Sequence, residues 1–252
     1  MARPAAGAAG GGWHTDVGEL NVGQKVNPIG FRTGVTLDWK SRWYAPKAAY
    51  GEFLVEDYRI RKFIDENLNR QPPYAAVSKV EIERTRSDVR VILHTARAGL
   101  VIGPRGAEVD KLRERLEELV DRKISLSIVE VKHPDLNAQL VAEAVAEQLK
   151  KRGSFRRIMK MRCDATMNAG ARGVRILCSG RLGGSEMARV ESQRRGSIPL
   201  QTLQANVDYG FAVARTTYGV IGVKVWIYLG KFGEEPLPEV AGAGVRRQRG
   251  RL

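Results

Sequence analysis

The stretch Val101-Ile102-Gly103-Pro104-Arg105-Gly106 decides how this chain is read. An apolar, β-branched run over residues 89–94 leads towards it, and a helical pattern leaves it at Ala107. Gly103 and Gly106 have no Cβ, so the chain can bend sharply there and a sugar-phosphate backbone can come close. The first amides of the following helix lack intrahelical partners and sit at the positive end of its dipole, which suits phosphate oxygens. Arg105, at the tip, adds a full charge and a bidentate fork. Four such residues also make plain tight turns, so the flanking pattern carries the decision.

Working outward, residues 52–68 place Phe53, Tyr58, Ile60, Phe63, Ile64 and Leu68 roughly on one side of a helix, and Pro72-Pro73 ends it. Residues 77–83 and 89–94 read as strands around the turn Thr85-Arg86-Ser87-Asp88. After the glycine loop, Val109, Leu112, Leu116, Leu119 and Val120 recur at helical spacing, with Glu108, Lys111, Arg113 and Glu114 on other faces. Residues 124–131 alternate as a strand. Pro134-Asp135 then opens a helix carrying Leu136, Leu140, Val141, Ala144, Val145 and Leu149 on one side. The order helix, strand, strand, glycine loop, helix, strand resembles the prokaryotic, type II K-homology module, which clamps single-stranded nucleic acid with such a loop. The expected fold class is α+β, a small sheet with helices on one face.

Composition agrees with that partner. The chain has 252 residues, 42 Lys and Arg against 28 Asp and Glu, and a formal net charge of +14. That length holds one large or two small domains with real cores. Such an excess of positive charge points to nucleic acid or an anionic membrane. No run approaches the about 18 apolar residues of a membrane span, and the first residues lack the apolar segment of a signal peptide. No membrane partner is expected. The two cysteines, Cys163 and Cys178, have no Cys or His at metal-ligand spacing and read as buried free thiols of a reducing compartment. His14, His94 and His133 are scattered. With no P-loop and no complete dinucleotide fingerprint, no cofactor is expected. An enzyme that processes nucleic acid would need carboxylates placed for metal ions, and Asp164 and Glu186 alone do not supply them.

A second cationic feature follows the module. Lys150, Lys151, Arg152, Arg156, Arg157, Lys160 and Arg162 run without an acid among them. If residues 154–169 are helical, Arg156 and Lys160 share a face at i and i+4 with Arg157 beside them. A solvated face usually mixes both signs, so this one reads as a phosphate-contacting surface. Residues 174–178 then alternate as a strand, Ser185 to Ile198 carries Arg189, Arg194 and Arg195, and residues 207–213 and 220–229 are β-rich. This is a second α+β unit, one helix on a mixed or antiparallel sheet of three or four strands.

The ends differ. Residues 1–22 are rich in Ala and Gly without periodicity and read as a disordered extension. Residues 23–51 carry Lys25, Arg32, Lys40, Arg42 and Lys47 against Asp38, interleaved with Trp39, Trp43 and Tyr44. That pattern suits RNA, where rings and guanidinium planes stack on bases; it equally suits a basic arm whose tryptophans pack on the body. The expected division is an extension at 1–22, a basic arm at 23–51, a type II K-homology domain at 52–152, a second α+β domain at 153–232 and a disordered tail at 233–252.

Four motifs carry a wider resemblance: Gly-Gln-Lys-Val-Asn-Pro-Ile-Gly-Phe-Arg (23–32), His-Thr-Ala-Arg-Ala-Gly-Leu-Val-Ile-Gly-Pro-Arg-Gly (94–106), Ser-Gly-Arg-Leu-Gly-Gly-Ser-Glu (179–186) and Thr-Thr-Tyr-Gly-Val-Ile-Gly-Val-Lys-Val-Trp-Ile (216–227). In this order and spacing the chain resembles the bacterial-type family of small ribosomal subunit protein three, from residue 23 to about residue 232. The resemblance implies a non-enzymatic, structural constituent of the small-subunit head, in the ribosome of the cytoplasm, bound to small-subunit rRNA. It implies neighbours in small-subunit proteins ten and fourteen, with protein two as a further candidate. It also implies a place beside proteins four and five in the tunnel through which mRNA enters, where basic residues grip and unwind mRNA without ATP. Those residues fall on Arg156, Arg157 and Lys160. The candidate RNA-binding set is Gly103, Pro104, Arg105, Gly106 and Lys111 at the loop, and Arg156, Arg157, Lys160 and Arg162 after the module. The alternative is a free-standing K-homology RNA chaperone or regulator, which leaves the second unit unexplained. Two departures stand out. Pro104 occupies a position where the family often has a basic residue, and it removes a charge and a backbone donor. Val22 sits where the family's initiator stands, so residues 1–21 are expected to lie upstream of the working start.

Overall fold

The structure is a computed structural model and describes residues 25–70, 74–85 and 88–233. The expectations for the 1–22 extension, for the tail beyond Gly233, for the Pro72-Pro73 stop and for Arg86 and Ser87 of the turn lie outside these residues.

The basic arm contributes a short helix, α1 (Pro28–Arg32), and a two-residue strand, β1 (Ser41–Arg42). Asn27 caps α1 through its side chain, which accepts from the Ile29 amide at 2.9 Å, and Pro28 supplies the fixed φ that suits a first helical position. Helix α2 (Lys47–Ile64) starts five residues earlier than the apolar pattern places it, directly after Pro46. A π-helical turn over Asp65–Asn69 extends it. Strands β2 (Val77–Arg84) and β3 (Asp88–Thr95) pair antiparallel, with Ile82 opposite Val91. The short helix α3 (Ala98–Ile102), the glycine loop and helix α4 (Ala107–Val120) then carry the chain across to β4 (Lys123–Glu130), which pairs parallel to β3. A parallel return needs such a crossover. Ile60, Ile64, Ile82, Val91, Leu93, Leu112, Leu116 and Val120 close this core.

Helix α3 is absent from the sequence reading for a physical reason. Five residues are too few to show a period, and only Val101 among them is buried.

The second unit is a four-stranded antiparallel sheet under two helices. Helices α5 (Ala138–Lys150) and α6 (Phe155–Asn168) precede strands β5 (Gly173–Gly180), β6 (Arg189–Gly196), β7 (Ala205–Thr216) and β8 (Gly219–Lys231). The spatial order is β6-β5-β8-β7. Val141, Val145 and Leu149 of α5 join Ile158, Met159 and Cys163 of α6, Val174 and Ile176 of β5, and Val223, Val225 and Ile227 of β8 in one core. The sequence reading counted α5 with the first module and gave the second sheet a single helix; its buried side belongs here. Cys163 and Cys178 are buried free thiols, and burial pushes them up to about 11 and about 12, so neither is a ready nucleophile. Strand β6 escaped the sequence reading because it is an edge strand, mostly exposed, with no apolar alternation.

Three contacts tie the parts together. The Arg32 side chain is wholly buried, yet it faces carbonyls rather than a carboxylate. Its Nε donates to Ala205 O at 2.7 Å, Nη1 to Pro28 O at 3.1 Å, and Nη2 to Leu200 O at 3.0 Å and Thr202 O at 2.9 Å. Buried Asp57 of α2 accepts from Trp43 Nε1 at 2.8 Å and Arg84 Nε at 2.8 Å, which fixes the other end of the arm to the first unit. Asp208 of β7 accepts from the Ala138 amide at 2.8 Å and so closes the start of α5. Trp43 therefore packs on the body, within 5.4 Å of the Tyr50 ring and 5.8 Å of the Phe53 ring, while Trp39 stays exposed.

Two outcomes follow from these contacts. Arg32→Ala removes the side-chain donor that Ala205 O, Leu200 O and Thr202 O share and should destabilise the purified chain by about 3 kcal/mol in chemical denaturation. Arg32→Lys, which keeps the charge but not the fork, should recover less than half; a loss below about 1 kcal/mol for the alanine variant would show that the arm docks by other means. Glu143 of α5 has its carboxyl raised to about 7, chiefly by burial, against a hydrogen bond from Gln139 Nε2 at 2.8 Å that acts the other way. Its folded pKa lies above its unfolded one, so ionisation works against the fold, and stability from this group falls as pH rises from about 4.3 towards the folded value. The stability gain of Glu143→Gln should therefore grow across that window and level off above it, as read by melting temperature against pH.

Candidate nucleic-acid interface

The glycine loop has the backbone its sequence demands. Gly103 ends α3 at φ 68°, and Gly106 opens α4 at φ 82°, both in the region that side chains avoid. Space matters at only one of them. A Cβ on Gly103 would sit 2.5 Å from Glu108 Cγ, whereas one on Gly106 would meet nothing within 4 Å. Arg105 itself is held at φ 56°, a costly state for a non-glycine residue, and its exposed side chain has no partner among the described residues.

The charge around this loop is more balanced than the sequence suggests. Lys111 Nζ lies 3.1 Å from Glu108 Oε1, and Arg113 lies 3.7 Å from Asp110. Both acids occupy the first turn of α4, where they already stabilise the helix dipole. Arg105 is thus the one uncompensated cation of the loop and first turn, and Lys111 is paired.

Helix α6 is different. Its first turn has no acid, and Ile158, Met159, Cys163 and Thr166 turn inward. Arg156, Arg157 and Lys160 are left exposed on the outer side, without an ion pair among the described residues. Arg162 leaves that group: it is only partly exposed and points to Asp135, with Nη1 at 3.6 Å from Oδ1. Lys151 is paired to Glu147 at 2.7 Å. The fold also brings up a cation from outside the linear run, one already paired with Glu191 at 3.5 Å. Arg189, at the start of β6, lies 5.4 Å from the Phe155 ring centroid, and Arg156 lies 5.6 Å from the same ring. Only the pairing of β6 with β5 brings Arg189 there.

The arm's two arginines have partners inside the molecule, while Lys25, Lys40 and Lys47 stay exposed. Arg32 is buried, and Arg42 reaches Asp38 at 3.3 Å and Glu81 at 3.3 Å. The packing reading of the arm therefore holds for Arg32, Arg42 and Trp43. Among the described residues no cluster of His, Cys, Asp or Glu could hold a metal ion, and no helix is long and apolar enough to cross a membrane.

Comparison with known proteins gives this geometry its context. Residues 59–136 match the family model described as KH domain, and residues 145–227 match that of Ribosomal protein S3, C-terminal domain. Small ribosomal subunit protein uS3 of Rhodopirellula baltica is 54% identical over 215 residues, 85% of this chain and 91% of its own. The protein of the same name from Pelotomaculum thermopropionicum is 53% identical over 218 residues, covering 86% and 91%. That of Desulforamulus reducens is 49% identical over 223 residues, covering 88% and 99%. A KH domain followed by the S3 C-terminal domain, with about half of all positions shared along most of both chains, leaves one conclusion: the chain belongs to the family of small ribosomal subunit protein uS3.

Proposed function

We propose that this chain binds small-subunit rRNA in the subunit head and lines the tunnel through which mRNA enters, gripping and helping to unwind the message. Family membership already provides the coarser role, a structural and non-enzymatic component of the small ribosomal subunit, located in the ribosome. What supports the finer one is the acid-free outer face of α6. Arg156, Arg157 and Lys160 project from a helix whose inner side is locked into the core, so their charges are presented rigidly. Like charges at that spacing cost an isolated helix about 0.2–0.5 kcal/mol per pair, a cost that a phosphate backbone removes. Holding an unpaired strand through phosphate contacts needs no nucleotide hydrolysis. Arg162 plays a positioning part in this reading, bracing α6 against Asp135 rather than touching RNA.

The glycine loop supplies a weaker contact. Arg105 reaches for phosphate, and Gly103 and Gly106 allow close approach, but Pro104 offers no donor and the α4 acids offset the dipole. For protein neighbours, the support is an exposed apolar face. Tyr44 is 93% exposed, and Tyr50, Leu54, Val55 and Tyr58 are exposed along α2. Patches of that kind mark protein contacts, which suits proteins ten and fourteen of the subunit.

Replacing Arg156, Arg157 and Lys160 together by Ala should leave sedimentation with the small subunit intact and slow translation through a stable mRNA hairpin. For the purified chain and a single-stranded RNA, the salt slope of binding should fall by about 2, since each lost phosphate contact removes about 0.7. Normal passage through the hairpin would sink the tunnel role. The two loop glycines separate fold from contact. Gly106→Asp enters open space and should weaken RNA binding with a stability loss of about 1 kcal/mol. Gly103→Asp should cost distinctly more stability, because its Cβ meets Glu108.

A further inference from the structure

The second sheet has one covered face and one largely bare face. Val174, Ile176, Cys178, Val223, Val225 and Ile227 point into the core under α5 and α6. Alternate residues of each strand must point the other way, and the register lines them up in rows across β6, β5, β8 and β7. Arg194, Arg175, Trp226 and Tyr209 are successive partners in one row. Ser192, Leu177, Lys224 and Phe211 form the next, and Val190, Ser179, Gly222 and Val213 the third. At one end of this face, Tyr228 and Trp226 pack with Ile198 and Leu200. The rest is open, with Val190 at 64% and Phe211 at 46% exposure.

Three features of the open part point the same way. It contains no Asp or Glu in these rows, and Arg175, Arg194 and Lys224 have no ion pair or hydrogen bond among the described residues. Arg175 and Arg194 stand directly opposite each other, an arrangement that weakens a strand pair unless an anion joins it. Aromatic rings lie among the cations: Arg175 is 5.5 Å from the Trp226 ring centroid, and Trp226 is 5.5 Å from Tyr209. Phe211 lies beside Gly222, where a Cβ would stand 3.8 Å from its Cε2.

We propose that this open face is a second RNA-binding surface, which takes an unpaired stretch of the small-subunit rRNA. Phe211 would stack on a base, while Arg175, Arg194 and Lys224 meet backbone phosphates. Single-stranded RNA supplies both π-faces and negative charge, and each base has a face that an aromatic ring can cover. A duplex hides its base faces, and a protein partner would have to bring acids to three separate cations. A permanent partner fits better than passing mRNA, because Val190 at the β6 edge and Phe211 and Val213 at the β7 edge are apolar side chains left exposed on this face. The face lies across the sheet from α6; its occupant rests on the rRNA binding proposed above, while the α6 tunnel role stands or falls separately.

The test places the photoreactive residue benzoylphenylalanine at Phe211 in chains assembled into small subunits, irradiated without mRNA. An adduct with unpaired rRNA nucleotides is expected. An adduct with a protein, with base-paired RNA, with mRNA only when it is added, or with nothing, overturns the proposal. A second measurement uses the purified full chain with Arg156, Arg157 and Lys160 already replaced by Ala, and a 12-nucleotide oligouridine as probe. Adding Phe211→Ala should weaken binding about tenfold, and Phe211→Tyr, which keeps the ring, should restore it. Adding Arg194→Ala and Lys224→Ala should lower the salt slope by about 1.4. Unchanged affinity and slope in these exposed-site variants would refute the platform while leaving the α6 reading intact.

Discussion

A guanidinium buried without a carboxylate holds this molecule together. Arg32 leaves water completely and is received by carbonyls of its own helix and of the chain leading into β7. Desolvating a full charge is expensive, and carbonyl dipoles offset that cost only if they are held at the right places. The requirement runs both ways. The segment at 199–205 must keep its shape to receive Arg32, and α1 must stay docked to deliver it. At its other end the same arm is tied by Trp43 to Asp57 in the first unit. The arm is thus a strap across two sheets, and its two arginines serve architecture.

That strap matters because function here depends on where charge is presented. No reaction is catalysed, so there is no site in the enzymatic sense, only surfaces. A cation contributes to such a surface when it is rigidly held and has no acid of its own. Lys111 and Arg162 fail the second condition through Glu108 and Asp135. Arg156, Arg157 and Lys160 meet both, since the inner side of α6 is sealed by Ile158, Met159 and Cys163. The glycine loop has the right backbone but little net charge, with acids in the first turn that follows it. A fold associated with gripping nucleic acid therefore carries its stronger cationic face outside that fold.

The second sheet extends this logic. One of its faces is a conventional apolar core, and the other combines arginine, lysine and aromatic rings in registered rows. Alternation along each strand makes the two faces independent, so a strand can build the core and an RNA platform from neighbouring residues.

Much was legible in the sequence. Net charge, the glycine loop, helix α4 with its Leu112 and Leu116 stripe, the strands β2 to β4 and the acid-free run at 150–162 all lie in local pattern, because period and composition are local properties. The sequence by itself determined that this is an α+β chain made to meet RNA, and which loop and helix to suspect. Tertiary structure alone decided which cations are free. Ion pairs such as Arg162 with Asp135, the burial of Arg32 among carbonyls about 170 residues away, and the rows that join Arg194 to Tyr209 depend on strand register and on the docking of distant segments. Those are set by the balance of burial and desolvation over the whole fold, and no window of neighbouring residues contains that balance.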